Sequence, residues 1–161
     1  MAKDKDIKTN AMRFLERNKI SFEINTYECD EFIDGLTVAK NLGQDPKISY
    51  KTLVTEGKSK NYFVFLVPIA EELDLKKAAA AVSEKSVEMI HVKDINKITG
   101  YIRGGCTPLG MKKLYPTVID ISAQNFDKII ISGGRIGSQI ILSPLDLAKV
   151  VNAKFSDIIK H

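Results

Sequence analysis

The spacing of apolar and polar positions changes several times along this chain, and each change marks an element. Ile7, Ala11, Phe14 and Leu15 recur at helical intervals with charges between them, which predicts an amphipathic helix over 5–18. Ile20, Phe22 and Ile24 then alternate with polar neighbours, the period of a half-buried strand ending near Tyr27. The acidic stretch 29–35 predicts a loop. A short helix follows over 36–42, stopped by Gly43 and the Asp45-Pro46 turn. Two β-rich runs, 49–56 and 61–67, flank a polar turn at 57–60, so an antiparallel hairpin is predicted. Asp74 is placed to cap a helix through about 82 whose shared face is Leu75, Ala78, Ala79 and Val82. A short strand at 86–90 and a weaker helix at 92–98, stopped at Gly100, come next.

Beyond a glycine-rich segment, 117–121 and 128–132 read as buried strands, and 133–137 as a turn into a strand at 139–142. Ser143-Pro144 starts a helix with a hydroxyl cap and proline at the first helical position. The pattern over 154–159 fits a strand or a helix. With no repeat, low-complexity linker or break in composition, 1–161 is expected to form a single domain. The predicted fold class is α+β: a mixed domain with a curved, largely antiparallel, barrel-like sheet and flanking helices.

Composition adds little to that picture and removes some alternatives. The 161 residues are 44% hydrophobic and 27% charged, as in ordinary globular proteins, and are long enough to bury a core. The net charge of +4 bears on function only if the cations gather around a cleft, where they would attract a polyanion. Cys29 and Cys106 belong to no CxxC pair and fit two free thiols of a cytosolic protein, the alternative being one disulfide. The N-terminus lacks the apolar core of a signal peptide, and the most apolar run, 63–70, is too short to span a bilayer. A cytoplasmic location with no membrane partner is expected.

Candidate chemistry centres on 99–113, where Gly104-Gly105, Pro108 and Gly110 run into Lys112 and Lys113. Paired glycines let a ligand approach the main chain, so the segment is either a tight structural turn or a cradle for a phosphate or oxyanion. Its spacing matches neither a Walker loop nor a dinucleotide fingerprint. The only histidines, His91 and His161, form no ligand-spaced cluster, so no metal and no cofactor are expected. Cys106 is either a nucleophile or a small side chain packed in a turn, and no histidine base stands near it in sequence. Strand alternation places Lys51 on the face of Leu53, opposite Tyr50, Thr52 and Val54. Its ammonium would then enter a cleft and meet a phosphate or oxyanion, or else snorkel to solvent. Arg135, in the second glycine turn, carries the same two readings. Lys58, Lys60, Lys76, Lys77, Lys112 and Lys113 fit solvated surface, or salt-dependent affinity for a nucleic acid.

With these positions placed, the chain resembles the YbaK-type Cys-tRNA(Pro) deacylases, of the superfamily of the prolyl-tRNA synthetase editing domain. The resemblance rests on Tyr50-Lys51-Thr52-Leu53, Thr99-Gly100-Tyr101, Gly104-Gly105, Pro108-Leu109-Gly110, Ser132-Gly133-Gly134 and Ala153-Lys154-Phe155, in that order and spacing. It implies hydrolytic proofreading of cysteine misattached to tRNA(Pro), with the substrate's own thiol attacking the ester to give a cyclic thiolactone. It also implies Lys51 as the critical residue, Tyr27 as the pocket tyrosine, Gly104 as the loop glycine and Ser132 as the serine before the second glycine pair. An acidic pocket position of the family is occupied here by Gln139, and Phe32 stands for the pocket phenylalanine. On this reading the Gly104 and Gly105 amides meet the carbonyl oxygen, while Tyr27, Thr52 and Ser132 bound the aminoacyl pocket. The implied partners are the 3′ aminoacyl end of a mischarged tRNA and prolyl-tRNA synthetase. The alternatives are an editing enzyme for another small amino acid and a non-catalytic tRNA- or synthetase-binding module.

Overall fold

A computed structural model describes residues 8–29 and 31–161. The first helix, α1 (Asn10–Arg17), begins where Thr9 caps it, its hydroxyl accepting from the Met12 amide at 3.2 Å. Ala11, Met12 and Leu15 form its buried face; the earlier start expected at residue 5, and Ile7 with it, lie outside the described residues. Strand β1 (Glu23–Thr26) follows, then α2 (Gly35–Leu42), which Asp34 caps and Gly43 ends in a left-handed turn. Strands β2 (Tyr50–Gly57) and β3 (Tyr62–Pro68) form the antiparallel hairpin that the two apolar runs predict. Next come α3 (Leu75–Ala81), capped by Asp74, then β4 (Val87–Met89) and α4 (Ile95–Thr99). The chain closes with β5 (Thr117–Asp120), β6 (Ile129–Ser132), β7 (Ser138–Leu142), α5 (Pro144–Val150) and β8 (Lys154–Ser156). Residues 154–156 are thus strand, the first of the two readings left open for that segment.

The strands form two sheets, β1-β7-β6 and β4-β2-β3-β5-β8. Four of the six strand pairings are antiparallel; β3–β5 and β5–β8 are parallel, because each pair is joined by a long crossover rather than a hairpin. A single bridge, Ser49 to Ile130, links the sheets, and among the described residues they do not close into the expected barrel. One core lies between the sheets, with Leu15, Tyr50, Val64, Leu66, Ile131, Ile140 and Leu147 in it. A second, with Phe63, Phe65, Val67, Ala78, Ala79 and Ile158, lies under α3. Alternate residues of β3 therefore enter different cores, which is why that strand reads as an unbroken apolar run.

Two details of the predicted faces do not hold. Leu75 remains 42% exposed although it follows the helical spacing of Ala78 and Ala79. It sits in the first turn of α3 and does not join the core under that helix. Ile24 is 44% exposed because β1 is an edge strand with nothing laid over that position.

Candidate functional site

The site is built on an unpaired stretch of strand edge. Strand β4 pairs with β2 only at Thr55, Glu56 and Gly57, and the bridge to β6 reaches only Ser49. Between them, positions 51–53 have no strand partner on that side among the described residues. This gap opens into a cleft of about 650 Å³. Its walls are the start of β2, the ends of β6 and β7, the loop at 103–106, the segment from Met89 to Ile95, and α2 with the loop before it.

Lys51, Tyr27, Thr52, Gly104, Ser132, Gln139 and Phe32 all line this one cleft, although they are spread over more than a hundred residues of sequence. Lys51 is half-buried, and desolvation draws its pKa below the ordinary lysine value, against the opposing pull of Glu72 and Glu71. Among the described residues no carboxylate closes to ion-pair distance on it. Tyr27 is held by its amide, which donates to the Gly137 carbonyl at 2.9 Å, and burial raises the pKa of its phenol. The hydroxyls of Ser49, Thr52 and Ser138 are buried with no hydrogen-bond partner among the described residues, and all three residues line the cleft. Buried orphan hydroxyls call for a water or a polar ligand.

The two glycine turns meet. Gly104 adopts φ +89°, a left-handed conformation that side chains disfavour, and its carbonyl accepts from the Ser132 hydroxyl at 3.3 Å. Among the described residues no acceptor takes the Gly104 amide. Gly105 differs from the expectation: it is buried outside the cleft lining, and its amide donates to the Ile102 carbonyl at 2.9 Å. A Cβ there would come within 2.8 Å of the Arg135 Cα, so the glycine serves the close approach of the two turns. The second amide is therefore not available to a ligand.

The Gln139 carboxamide is the centre of a neutral polar row. Its Oε1 accepts from Asn25 Nδ2 at 2.9 Å and from Gln44 Nε2 at 2.8 Å, while its own Nε2 donates to Gln44 Oε1 at 3.1 Å. Strand register makes the row: Ser132 faces Gln139 and Gln139 faces Asn25, so all three project from one face of the smaller sheet. Asn25 and Gln44 were missed from sequence. Gln44 follows the cap of α2 and resembles any loop glutamine. Arg103 was missed as well; its guanidinium lies 4.0 Å from the Phe32 ring centroid, at the mouth beside Gly104.

Cys106 also lines the cleft, but desolvation pushes its thiol up to about 11, away from the thiolate that a nucleophile needs. Among the described residues no group of three histidine, cysteine or acidic side chains is placed to hold a metal. No helix there is long and apolar enough to cross a membrane.

Comparison with known proteins bears on the same region. Residues 36–150 match the model of the aminoacyl-tRNA editing domain. The chain is 43% identical over 160 residues, 98% of each protein, to EbsC of Enterococcus faecalis, named as a candidate Cys-tRNA(Pro)/Cys-tRNA(Cys) deacylase. A solved structure described as a candidate trans-editing enzyme for prolyl-tRNA synthetase superposes with TM-score 0.83 at 21% identity, covering 96% of this chain and 99% of that one. Hypothetical protein APE2540 superposes with TM-score 0.86 at 17% identity, covering 94% and 99%. Both structures share the fold. The span 36–150 contains the free edge of β2, both glycine turns, and Gln44 and Gln139 of the carboxamide row, and the chain belongs to the aminoacyl-tRNA editing domain family.

Proposed function

We propose that this chain is a deacylase that clears cysteine from mischarged tRNA(Pro), and also accepts Cys-tRNA(Cys), acting in the cytoplasm and in association with prolyl-tRNA synthetase. The observation that carries the reading is the shared cleft: a half-buried ammonium, Gly104 of the first glycine turn, and Ser132 and Ser138 on either side of the second line one hollow that contains no histidine. The family match and the EbsC name support the reaction class.

In the proposed reaction the cysteinyl sulfur attacks its own ester carbonyl. The carbon–sulfur bond forms, the bond to the ribose oxygen breaks, and the thiol proton ends on that oxygen. The products are tRNA and a cyclic thiolactone that water later opens. Sulfur and carbonyl belong to one residue, so holding them in reactive geometry supplies much of the acceleration without a protein base. Lys51, partly withdrawn from water, holds the terminal ribose-phosphate or ester by charge where screening is weak. The Gly104 amide meets the carbonyl oxygen; Tyr27, Thr52 and Ser132 bound the aminoacyl pocket, and Gln139 forms its neutral wall.

Deacylation of Cys-tRNA(Pro) and Ser-tRNA by wild type, Lys51→Ala and Cys106→Ala tests this. Lys51→Ala is expected to lose at least about 100-fold in kcat/KM with its fold intact, about 2.7 kcal/mol of transition-state stabilisation. Cys106→Ala is expected to stay within about twofold of wild type, since its thiol is protonated. The seryl ester should react far more slowly, because a neutral hydroxyl is the weaker nucleophile. Equal rates on both esters would overturn the substrate-assisted route, and unchanged turnover without Lys51 would remove the lysine from the mechanism.

A further inference from the structure

The +4 charge of the chain is not spread evenly. Residues 91–113 carry five cations, Lys93, Lys97, Arg103, Lys112 and Lys113, against one carboxylate, Asp94, so this segment alone carries a net charge equal to that of the whole protein. All five cations are exposed. The four lysines are also contiguous in space. Lys93 and Lys97 flank and lie within α4, the Lys112 ammonium donates to the Lys97 carbonyl at 3.2 Å, and Lys113 is its neighbour. Asp94 reaches only Lys97, at 3.9 Å.

The position of this ridge matters as much as its charge. Val92 and Ile95, interleaved with Lys93 and Lys97, line the cleft, and Arg103 stands at its mouth over Phe32. The apolar side of the segment thus forms a cleft wall, while its lysines lie outside that wall. An extended polyanion whose end enters the cleft would lay its following phosphates along such a ridge. Isolated surface lysines do not favour one direction; a one-sided ridge continuous with a cleft does.

We infer that the ridge Lys93, Lys97, Lys112 and Lys113 is the docking surface for the RNA backbone adjoining the 3′ end, a contact with phosphates that reads no sequence. The inference rests on the deacylase reading of the cleft and extends it to the body of the substrate. Backbone contacts of this kind supply affinity and orientation without base discrimination, so selection among tRNAs has to come from elsewhere.

The test separates binding from chemistry. Lys93→Gln, Lys97→Gln, Lys112→Gln and Lys113→Gln are combined in one variant and also made as the pairs 93/97 and 112/113, which serve if the fourfold variant does not fold. Binding of uncharged tRNA is measured by fluorescence anisotropy over a salt series, and hydrolysis is measured on Cys-tRNA and on a cysteinylated 3′-terminal dinucleotide. In the fourfold variant, tRNA binding is expected to weaken at least about tenfold near 0.1 M salt, and the slope of log K against log salt to fall by about 3. Dinucleotide hydrolysis is expected to be unchanged. Removing four exposed lysines away from the cleft, Lys58, Lys60, Lys76 and Lys85, is expected to leave the slope near wild type. A wild-type slope in the ridge variants would overturn the proposal, and so would an equal loss of slope in the control. The anisotropy arm needs no ester cleavage. It decides the surface even if wild type hydrolyses neither ester, a result that would instead remove the deacylase reading.

Discussion

Strands β3 and β7 occupy the same place in their two sheets, each in the middle with a neighbour on both sides, yet they are built from different residues. In β3, Phe63 through Val67 are apolar and no more than 6% exposed. In β7, Ser138 at 2% and Gln139 at 8% are as deeply placed as Ile140 and Leu142 beside them. Burying a carboxamide gains less than burying a leucine, and it is tolerable only when the polar atoms find partners. Gln139 finds them in Asn25 and Gln44, and Ser138 does not find one among the described residues. One sheet centre is therefore devoted to stability, while the other gives up part of that gain where its polar row meets the cleft.

The largest effect that would sharpen this contrast is expected in β3. Leu66→Ala removes a fully buried side chain from the core between the sheets and should cost about 2–5 kcal/mol in urea unfolding. A loss below about 1 kcal/mol would mean that the hairpin is not the stability centre. Next comes Gln139→Leu, which adds apolar surface yet leaves the Asn25 and Gln44 amides without their acceptor. It should destabilise by about 1–3 kcal/mol. A stabilised variant would show that the row is dispensable to folding and end the comparison as drawn.

The smallest effect concerns Lys51, where stability and proposed activity should move in opposite directions. Below its lowered folded-state pKa, both folded and unfolded chains hold the proton, and the folded state bears the full desolvation cost. Between that pKa and the ordinary lysine value, only the unfolded chain keeps the proton, so wild-type stability rises with pH. Lys51→Met should therefore melt slightly above wild type at neutral pH, with the difference narrowing as pH climbs toward the ordinary lysine range. Melting curves from pH 7 upward measure it; a difference that widened with pH would reverse the assignment of desolvation as the dominant cause.

Much of the secondary structure was legible because its signals are local. Thr9 lies too near the start of its helix to be recognised against the longer apolar pattern, but Asp74, Ser143-Pro144, Gly43 and Gly100 mark element ends that the structure keeps. The hairpin of β2 and β3 was legible for the same reason: a short polar turn between two β-rich runs leaves few other pairings. The strand period also set the two faces of β2. Tyr50 and Val54 enter the core between the sheets, and Leu53 packs toward the other. The parallel pairings of β5 were not legible, since nothing in its few residues names partners as distant as Val64, which pairs with Thr117, and Lys154, which pairs with Val118.

Of the candidate site, single residues could be proposed from sequence, but not what they share. Composition, caps, alternation and motif order are properties of neighbouring residues, acting over one or two turns of backbone, and the chain carries them before it folds. That Lys51 borders a gap in strand pairing, that Gly105 serves a contact with Arg135 rather than a ligand, and that Asn25, Gln44 and Gln139 form one hydrogen-bonded row depend on which sheet edges meet. Those contacts join residues up to more than a hundred positions apart, and only the pairing of β1 with β7 and the docking of the loops around that sheet bring them together.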